Sequence, residues 1–141
     1  MQQEKDYLQR EVERITLFLK TLLRRVAGLK DENFEPQYNQ LEKDFKEEVD
    51  FSLSELGAMN ALTLEKYLKK IHPSHIEKIV QITYEVIQKK QALQISINSG
   101  MIVNALKMLN HLNTTSKTYS IERQNLQSKL QKILESSTEQ D

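Results

Sequence analysis

Residues Asp6–Leu29 read DYLQREVERITLFLKTLLRRVAGL, and their spacing decides the fold. Leu8, Val12, Ile15, Leu19, Leu22, Val26 and Leu29 recur at alternating steps of four and three. In an α-helix those steps bring each side chain back to one flank, so the stretch predicts an amphipathic helix from Asp6 to about Gly28. Phe18, Leu23 and Tyr7 widen the stripe. Asp6 is the expected N-cap. Glu11 and Glu13 lie toward the start, and Lys20, Arg24 and Arg25 toward the end, which is the order the helix dipole favours. Gly28 is expected to close the helix in the left-handed conformation. Seven aliphatic side chains on one flank are too apolar to leave in water. The seam is expected to dock on the rest of the chain, with Phe18 and Leu23 at its margins. The alternative is a seam between two copies, for which three heptads are near the lower limit.

Outward from this helix, three glycines and two prolines punctuate the chain. Lys30–Glu35 reads as a loop, and Pro36 as the first residue of a second helix with Tyr38, Leu41, Phe45 and Val49 on its apolar face. Phe34 is placed to pack back onto that face. Residues 50–62 are left open between helix and loop: Asp50–Ser54 reads as a kink or break, and Leu53, Leu56 and Met59 as a short helix or turn. Thr63 is the expected N-cap of a segment carrying Leu64, Tyr67, Leu68 and Ile71. That segment must stop near Ile71–His72, because the residue before Pro73 avoids α geometry. Ser74-His75-Ile76-Glu77 has the spacing of a capping box. The helix it opens carries Ile76, Ile79, Val80, Thr83, Val86 and Ile87 and is extended toward Ile97. After a break at Asn98–Gly100, with Ser99 as N-cap, Met101–Leu112 is helical again. Asn113–Lys117 reads as polar loop, and a last helix begins near Ser120.

These elements predict an all-α protein, either an antiparallel helical bundle or a short helical array of about five to six helices. The chain has 141 residues, which suits one domain over residues 1–135, with 136–141 as a frayed tail. Lys plus Arg and Asp plus Glu both number 20, so no chain-wide field draws nucleic acid or anionic lipid. The absence of Cys removes disulfides and thiolate chemistry and fits a reducing, cytoplasmic setting. The polar start, Met1-Gln2-Gln3-Glu4-Lys5-Asp6, gives no expectation of a leader. No membrane span is expected, since Ile15–Val26 is broken by Lys20, Arg24 and Arg25.

Around Gly100 the spacing resembles a tetratricopeptide unit. Gly100 is followed five residues later by Ala105, then by Leu109 and Leu112. A partial echo is Ala61 followed twelve residues later by Pro73. The resemblance implies stacked antiparallel helix pairs, with Ala105 where two helices approach closely. The chain departs from the family in three respects. The early Trp is missing, no closing Pro follows Gly100, and Ala105 lies 44 residues after Ala61 against a repeat of about 34. Asp6-Tyr7-Leu8-Gln9-Arg10, with Glu13 and the Leu-rich continuation, also resembles the opening of small uncharacterised bacterial all-helical proteins. That resemblance implies a helical, bacterial, cytoplasmic protein and no particular activity.

Little in the sequence suggests catalysis. His72 and His75 flank Pro73-Ser74, with Glu77 near in sequence and His111 further on. His72 reads as a helix-closing imidazole and His75 as a residue of an exposed first turn. No His has Glu three residues before it, as di-iron bundles require, so no metal and no cofactor are expected. Three scattered glycines build no phosphate loop. Ser99-Gly100 is a tight turn without the strand a nucleophile elbow needs. Glu47 and Glu48 are consecutive and diverge on a helix. Lys66, Lys69, Lys70, Lys78, Lys89 and Lys90 form a candidate basic contact face, which Arg24 and Arg25 could extend. Glu65, Glu77 and Glu85 lie among them. The reading is therefore a non-catalytic helical interaction or scaffold protein with a protein or peptide partner, present as a monomer or weak homodimer. The alternative is a small regulatory protein touching nucleic acid through the lysine face.

Overall fold

The computed structural model describes residues 2–116, 118 and 120–139, with side chains described for residues 3–136 among them. Seven α-helices follow in order among the described residues: α1 (Gln2–Ala27), α2 (Phe34–Val49), α3 (Leu53–Ala58), α4 (Ala61–Lys70), α5 (Pro73–Ala92), α6 (Ser99–Thr115) and α7 (Ile121–Glu139). A 3-10 turn at Asp31–Asn33 precedes α2. The described residues contain no strand, and no helix among them is long and apolar enough to cross a membrane. The class is all-α. The helix count exceeds the expected five to six because residues 50–62 resolve into α3 and the start of a separate α4.

Several boundaries differ from the sequence reading, each for a local reason. Helix α1 begins at Gln2, so Asp6 lies inside it and caps nothing. Gly28 keeps a negative φ, and its N–H is shared between the carbonyls of Arg24 and Arg25, each at 3.1 Å. Pro36 sits in the first turn of α2 two residues after its start at Phe34. Asp50 supplies the left-handed stop expected elsewhere, with φ 76° and its N–H on the Lys46 carbonyl. The N-cap of α4 is Asn60, whose Oδ1 accepts the Thr63 N–H at 2.8 Å. The capping box at Ser74 is not formed. His72 is the N-cap of α5, its Nδ1 accepting the Ser74 N–H at 3.2 Å, and Pro73 fills the first helical position, where no N–H is needed. Glu77 instead accepts from Arg123 Nε of α7 at 3.3 Å. Helix α5 ends at Ala92 rather than near Ile97, and Gln94 turns the chain with φ 60°. Asn98, not Ser99, caps α6, and α6 runs on through Thr115. Lys117 of the expected loop lies outside the described residues. Helix α7 runs on to Glu139, and Gln140 and Asp141, at the end of the expected tail, lie outside the described residues.

A six-residue helix such as α3 is too short to hold its own shape in water. Its neighbours hold it at both ends. Glu42 of α2 accepts from the N–H groups of Leu53 (2.7 Å) and Ser54 (3.3 Å) and from the Ser54 hydroxyl (2.6 Å). At the far end Asn104 of α6, almost fully buried, donates from Nδ2 to the carbonyls of Leu56 (2.6 Å) and Met59 (3.1 Å). Leu53 and Leu56 are fully buried between these two attachments.

Helix α5 is the centre of the core. Ile76, Ile79, Val80, Ile82, Val86 and Ile87 are buried on several sides of it, as an element packed by α1, α6 and α7 requires. Helices α1 and α5 run parallel. His75 near the start of α5 meets Val12 and Thr16, while Lys89 near its end donates to the Leu29 carbonyl at 3.1 Å. The seam of α1 docks inside the chain through Leu19, Leu22, Val26 and Leu29, with Phe18 and Leu23 packed at the edge of the core. The seam is not buried throughout: Leu8 remains 62% exposed. Helix α6 contributes Met101, Ile102, Ala105, Met108, Leu109 and Leu112 to the same core, and α7 contributes Leu126 and Leu130. Phe34 stacks on Tyr38 at 5.2 Å, in line with its expected return onto α2.

Ala105 is fully buried, whereas Ala61 is exposed at the start of α4. Ala105→Leu must force a larger side chain into a filled site. It should destabilise by about 1–3 kcal/mol through overpacking. Chemical denaturation checks this, and an unchanged midpoint would mean that the core around α6 has room to spare.

Candidate functional site

The N-terminal half of α1 extends past the core and overhangs the junction of α4 and α5. The result is a groove of about 390 Å³ with a largely apolar lining. Helix α1 supplies Leu8, Val12 and Ile15 because these continue the seam beyond its buried half. The end of α4 supplies Tyr67 and Ile71, and the start of α5 supplies His75 and Ile79. Val49 and Asp50 close the side at the end of α2. Tyr67 is fixed by an edge contact with Phe51, 5.0 Å between centroids, and Phe51 by Phe45 at 5.7 Å.

Polar and charged groups lie around this lining. Glu11, Glu48, Asp50, Lys70 and His72 all border it. Arg14 links α1 to α2 by pairing with Glu11 and with Glu48, the latter at 3.0 Å. The Arg14 hydrogen bond holds the Glu11 carboxyl below its ordinary value, and the two carboxylates raise that of Arg14. These side chains are largely in water, so the pairs orient the rim more than they stabilise the fold.

His75 is 5% exposed, which corrects its reading as an exposed first-turn residue. Its Nε2 lies 2.9 Å from the Val12 carbonyl and 3.1 Å from Thr16 Oγ1. A carbonyl only accepts, so Nε2 carries the proton. Burial is the main cause that pushes its pKa below the ordinary imidazole value, with His72 and Lys78 adding to the effect and the bond to Val12 opposing it. The sign follows from linkage. The unfolded chain binds a proton near pH 6.5 that the folded chain resists, so the stabilisation is complete above that pH and is lost as pH falls through the lowered folded value. Thermal midpoints should therefore fall between about pH 7.5 and about pH 5.5. His75→Gln, whose amide can donate the same bond, should flatten that slope. An equal slope in both proteins would show that another group carries it.

His72 and His75 stand 5.5 Å apart between ring centroids, but no set of three His, Asp or Glu side chains among the described residues is arranged to hold a metal ion. Glu77 is engaged by Arg123, and the described residues include no such trio with His111. The six lysines are divided between α4 and α5. Lys66, Lys69 and Lys70 follow at steps of three and one on the exposed side of α4, and Lys70 borders the groove. Lys78 is half-buried on α5. Lys89 and Lys90 lie about 17 Å further along that helix. Both are used within the chain: Lys89 on the Leu29 carbonyl, and Lys90 with Nζ 4.7 Å from the Tyr38 ring centroid. Burial lowers the Lys90 pKa, and Glu42 opposes that effect. Arg25 pairs with Asp44 at 2.7 Å and so is also engaged.

A second hollow lies between α1, α5 and α7, with Leu23, Ala27 and Leu126 among more polar neighbours such as Gln81, Glu122 and Asn125. The groove at α4 is the better candidate because its apolar lining runs onto exposed Leu8. Sequence reading placed Leu8, Val12 and Ile15 on a seam to be docked in the core, not on the wall of a groove, and gave no sign that Tyr67, Ile71 and His75 would stand opposite them. Periodicity gives the face of each helix, not the neighbour that face meets. Comparison of the chain with family models, curated proteins and solved structures finds no match.

Proposed function

We propose that this chain is a non-catalytic interaction or scaffold protein whose groove between α1, α4 and α5 receives an amphipathic helix or short apolar segment of a protein partner. The observation that carries this reading is the apolar lining of the groove and its continuation onto the exposed Leu8 side chain. Concave apolar surface bordered by charge is the ground plan of helix-in-groove recognition. Glu48 and Asp50 on one side and Lys70 on another give the border both signs, which would orient an incoming helix. A cytoplasmic setting belongs to the same proposal and is supported by the absence of thiols. The alternative, a nucleic-acid contact through lysines, has Lys66, Lys69 and Lys70 on one helix, and no separate observation favours it.

Ile71→Lys tests the reading, because it places a charge in the groove at a partly exposed position. The variant should keep the wild-type helicity. A partner recovered from native lysate on immobilised wild type and lost on the variant supports groove binding. Equal recovery on both, or none on either, overturns it.

A further inference from the structure

In residues 3–18 of α1 no side chain is buried, and the helix enters the core only at Leu19. Ile15 and Phe18 pack at the edge of the core, and two polar attachments hold this stretch among the described residues. Arg14 pairs with Glu48 of α2 at 3.0 Å. His75 of α5 donates from Nε2 to the Val12 carbonyl at 2.9 Å, with Thr16 Oγ1 at 3.1 Å. Nε2 already holds one proton, so a second must go to Nδ1, which forms no hydrogen bond among the described residues. Charging the ring therefore keeps the bond to Val12 but adds a buried cation with nothing to accept its new proton. The surroundings oppose that charge. His72 lies 5.5 Å away between ring centroids, Lys78 follows on the same helix, and both imidazoles stand at the start of α5, where the helix dipole disfavours a cation. Glu11 of α1 and Glu48 of α2 are engaged by Arg14, and α4 brings Lys70 and the phenol of Tyr67. Asp50 at the end of α2 is the one carboxylate of this lining with no ion pair among the described residues, and it faces Lys70, Lys78 and His72.

We propose that His75 is an acid-operated latch on the first half of α1. A neutral ring ties that half to α5 and shapes the groove. A charged ring regains water by releasing it, with the pivot where Leu19 enters the core, and the groove loses its α1 wall. The stretch opens by itself because little apolar surface holds it, whereas Leu19, Leu22 and Val26 keep the remainder of α1 in place. The effect on binding rests on the groove reading: an occupant is held at neutral pH and let go in mild acid.

Amide hydrogen exchange of the full chain, read residue by residue by NMR with each rate divided by its intrinsic value at the same pH, tests this. A helix cut loose from its contacts is marginal in water, so release unravels the stretch and exposes its amides. Protection at residues 13–18 should be lower than at residues 79–86 of α5. Between about pH 7.5 and about pH 5.5 it should fall by up to about tenfold, since opening gains about tenfold for each unit below the unfolded value near 6.5. His75→Gln keeps a donor for Val12 and cannot charge, so its protection at residues 13–18 should not change with pH. Protection of that stretch that is independent of pH in the wild type overturns the latch. So does protection equal to that of α5 at both pH values, which would mean that the stretch opens only with the whole fold, or an equal fall in His75→Gln. The wild type also gives a check that needs no variant: ring nitrogen shifts must show the Nε2–H form of His75 at neutral pH, and the other tautomer overturns the latch. None of these measurements uses a partner, so the two readings fail separately. A latch that opens in a chain whose Ile71→Lys variant recovers the same proteins as wild type loses only the groove reading. A stretch closed at both pH values, with Ile71-dependent recovery, loses only the latch.

Discussion

Leu19→Asp should leave a chain with little helicity and no cooperative melt. Leu19 is 1% exposed on the buried flank of α1, which packs along α5. Removing a buried leucine costs about 2–5 kcal/mol when alanine replaces it. An aspartate adds the cost of desolvating a carboxylate or of protonating it, several kcal/mol more. The total stability of a domain of this size is about 5–15 kcal/mol, so one substitution consumes most of it. Circular dichroism and sedimentation together decide the outcome. A helical, folded monomer would mean that this half of α1 packs between chains, contrary to its position here. Leu8→Asp, on the same flank but in water, is the matched control and should melt like the wild type.

Gly100→Ala is expected to lower stability by about 3 kcal/mol or more, at the upper end of overpacking effects. Helix α3 crosses α6 so closely that a Cβ on Gly100 would collide with the Gly57 carbonyl oxygen. Backbone cannot rotate away as a side chain does. The reverse substitution meets softer neighbours: a Cβ on Gly57 would lie 2.7 Å from Asn98 Nδ2 and 2.8 Å from Met101 Cγ. To admit a methyl group at Gly100, α3 must move, which strains the Asn104 bonds to Leu56 and Met59 as well. The thermal midpoint should drop by roughly 6–12 °C. Gly28→Ala provides the contrast. Its Cβ would find only the Arg25 and Arg24 carbonyl oxygens at 3.6 and 3.7 Å, and its φ is ordinary, so that change should be neutral or mildly stabilising. Equal midpoints for the two variants would show that α3 adjusts freely.

The helices themselves were legible because their apolar residues recur with the right period. Leu19, Leu22 and Val26 were placed in the core by spacing alone, and Leu53 and Leu56 were marked as a short helix or turn. Caps were less legible. Ser74 and Glu77 have the spacing of a box, but Pro73 before them is better suited to the first helical position, which moves the cap to His72. Thr63 lost to Asn60, and Ser99 to Asn98, for a related reason: an Asn side chain was available slightly earlier in the chain. The burial of His75 was not legible, because it depends on α1 lying alongside α5. Nor was the division of the lysines, since Lys89 and Lys90 are drawn to Leu29 and Tyr38, which are remote in sequence. Those pairings come from tertiary arrangement, which a single chain of letters records only as faces in search of neighbours.

The parallel pairing of α1 with α5 also bears on how the chain is made. Helix α1 is synthesised before the other six helices, yet the helix it packs against is complete only at Ala92, 65 residues after Ala27. At roughly 5–20 residues per second, translation leaves the α1 seam without its native neighbour for several seconds. Helix α2 is available sooner, but α5, α6 and α7 follow one another and can assemble as soon as they appear. The nascent chain therefore carries an exposed leucine-rich helix over the 65 residues that separate Ala27 from Ala92.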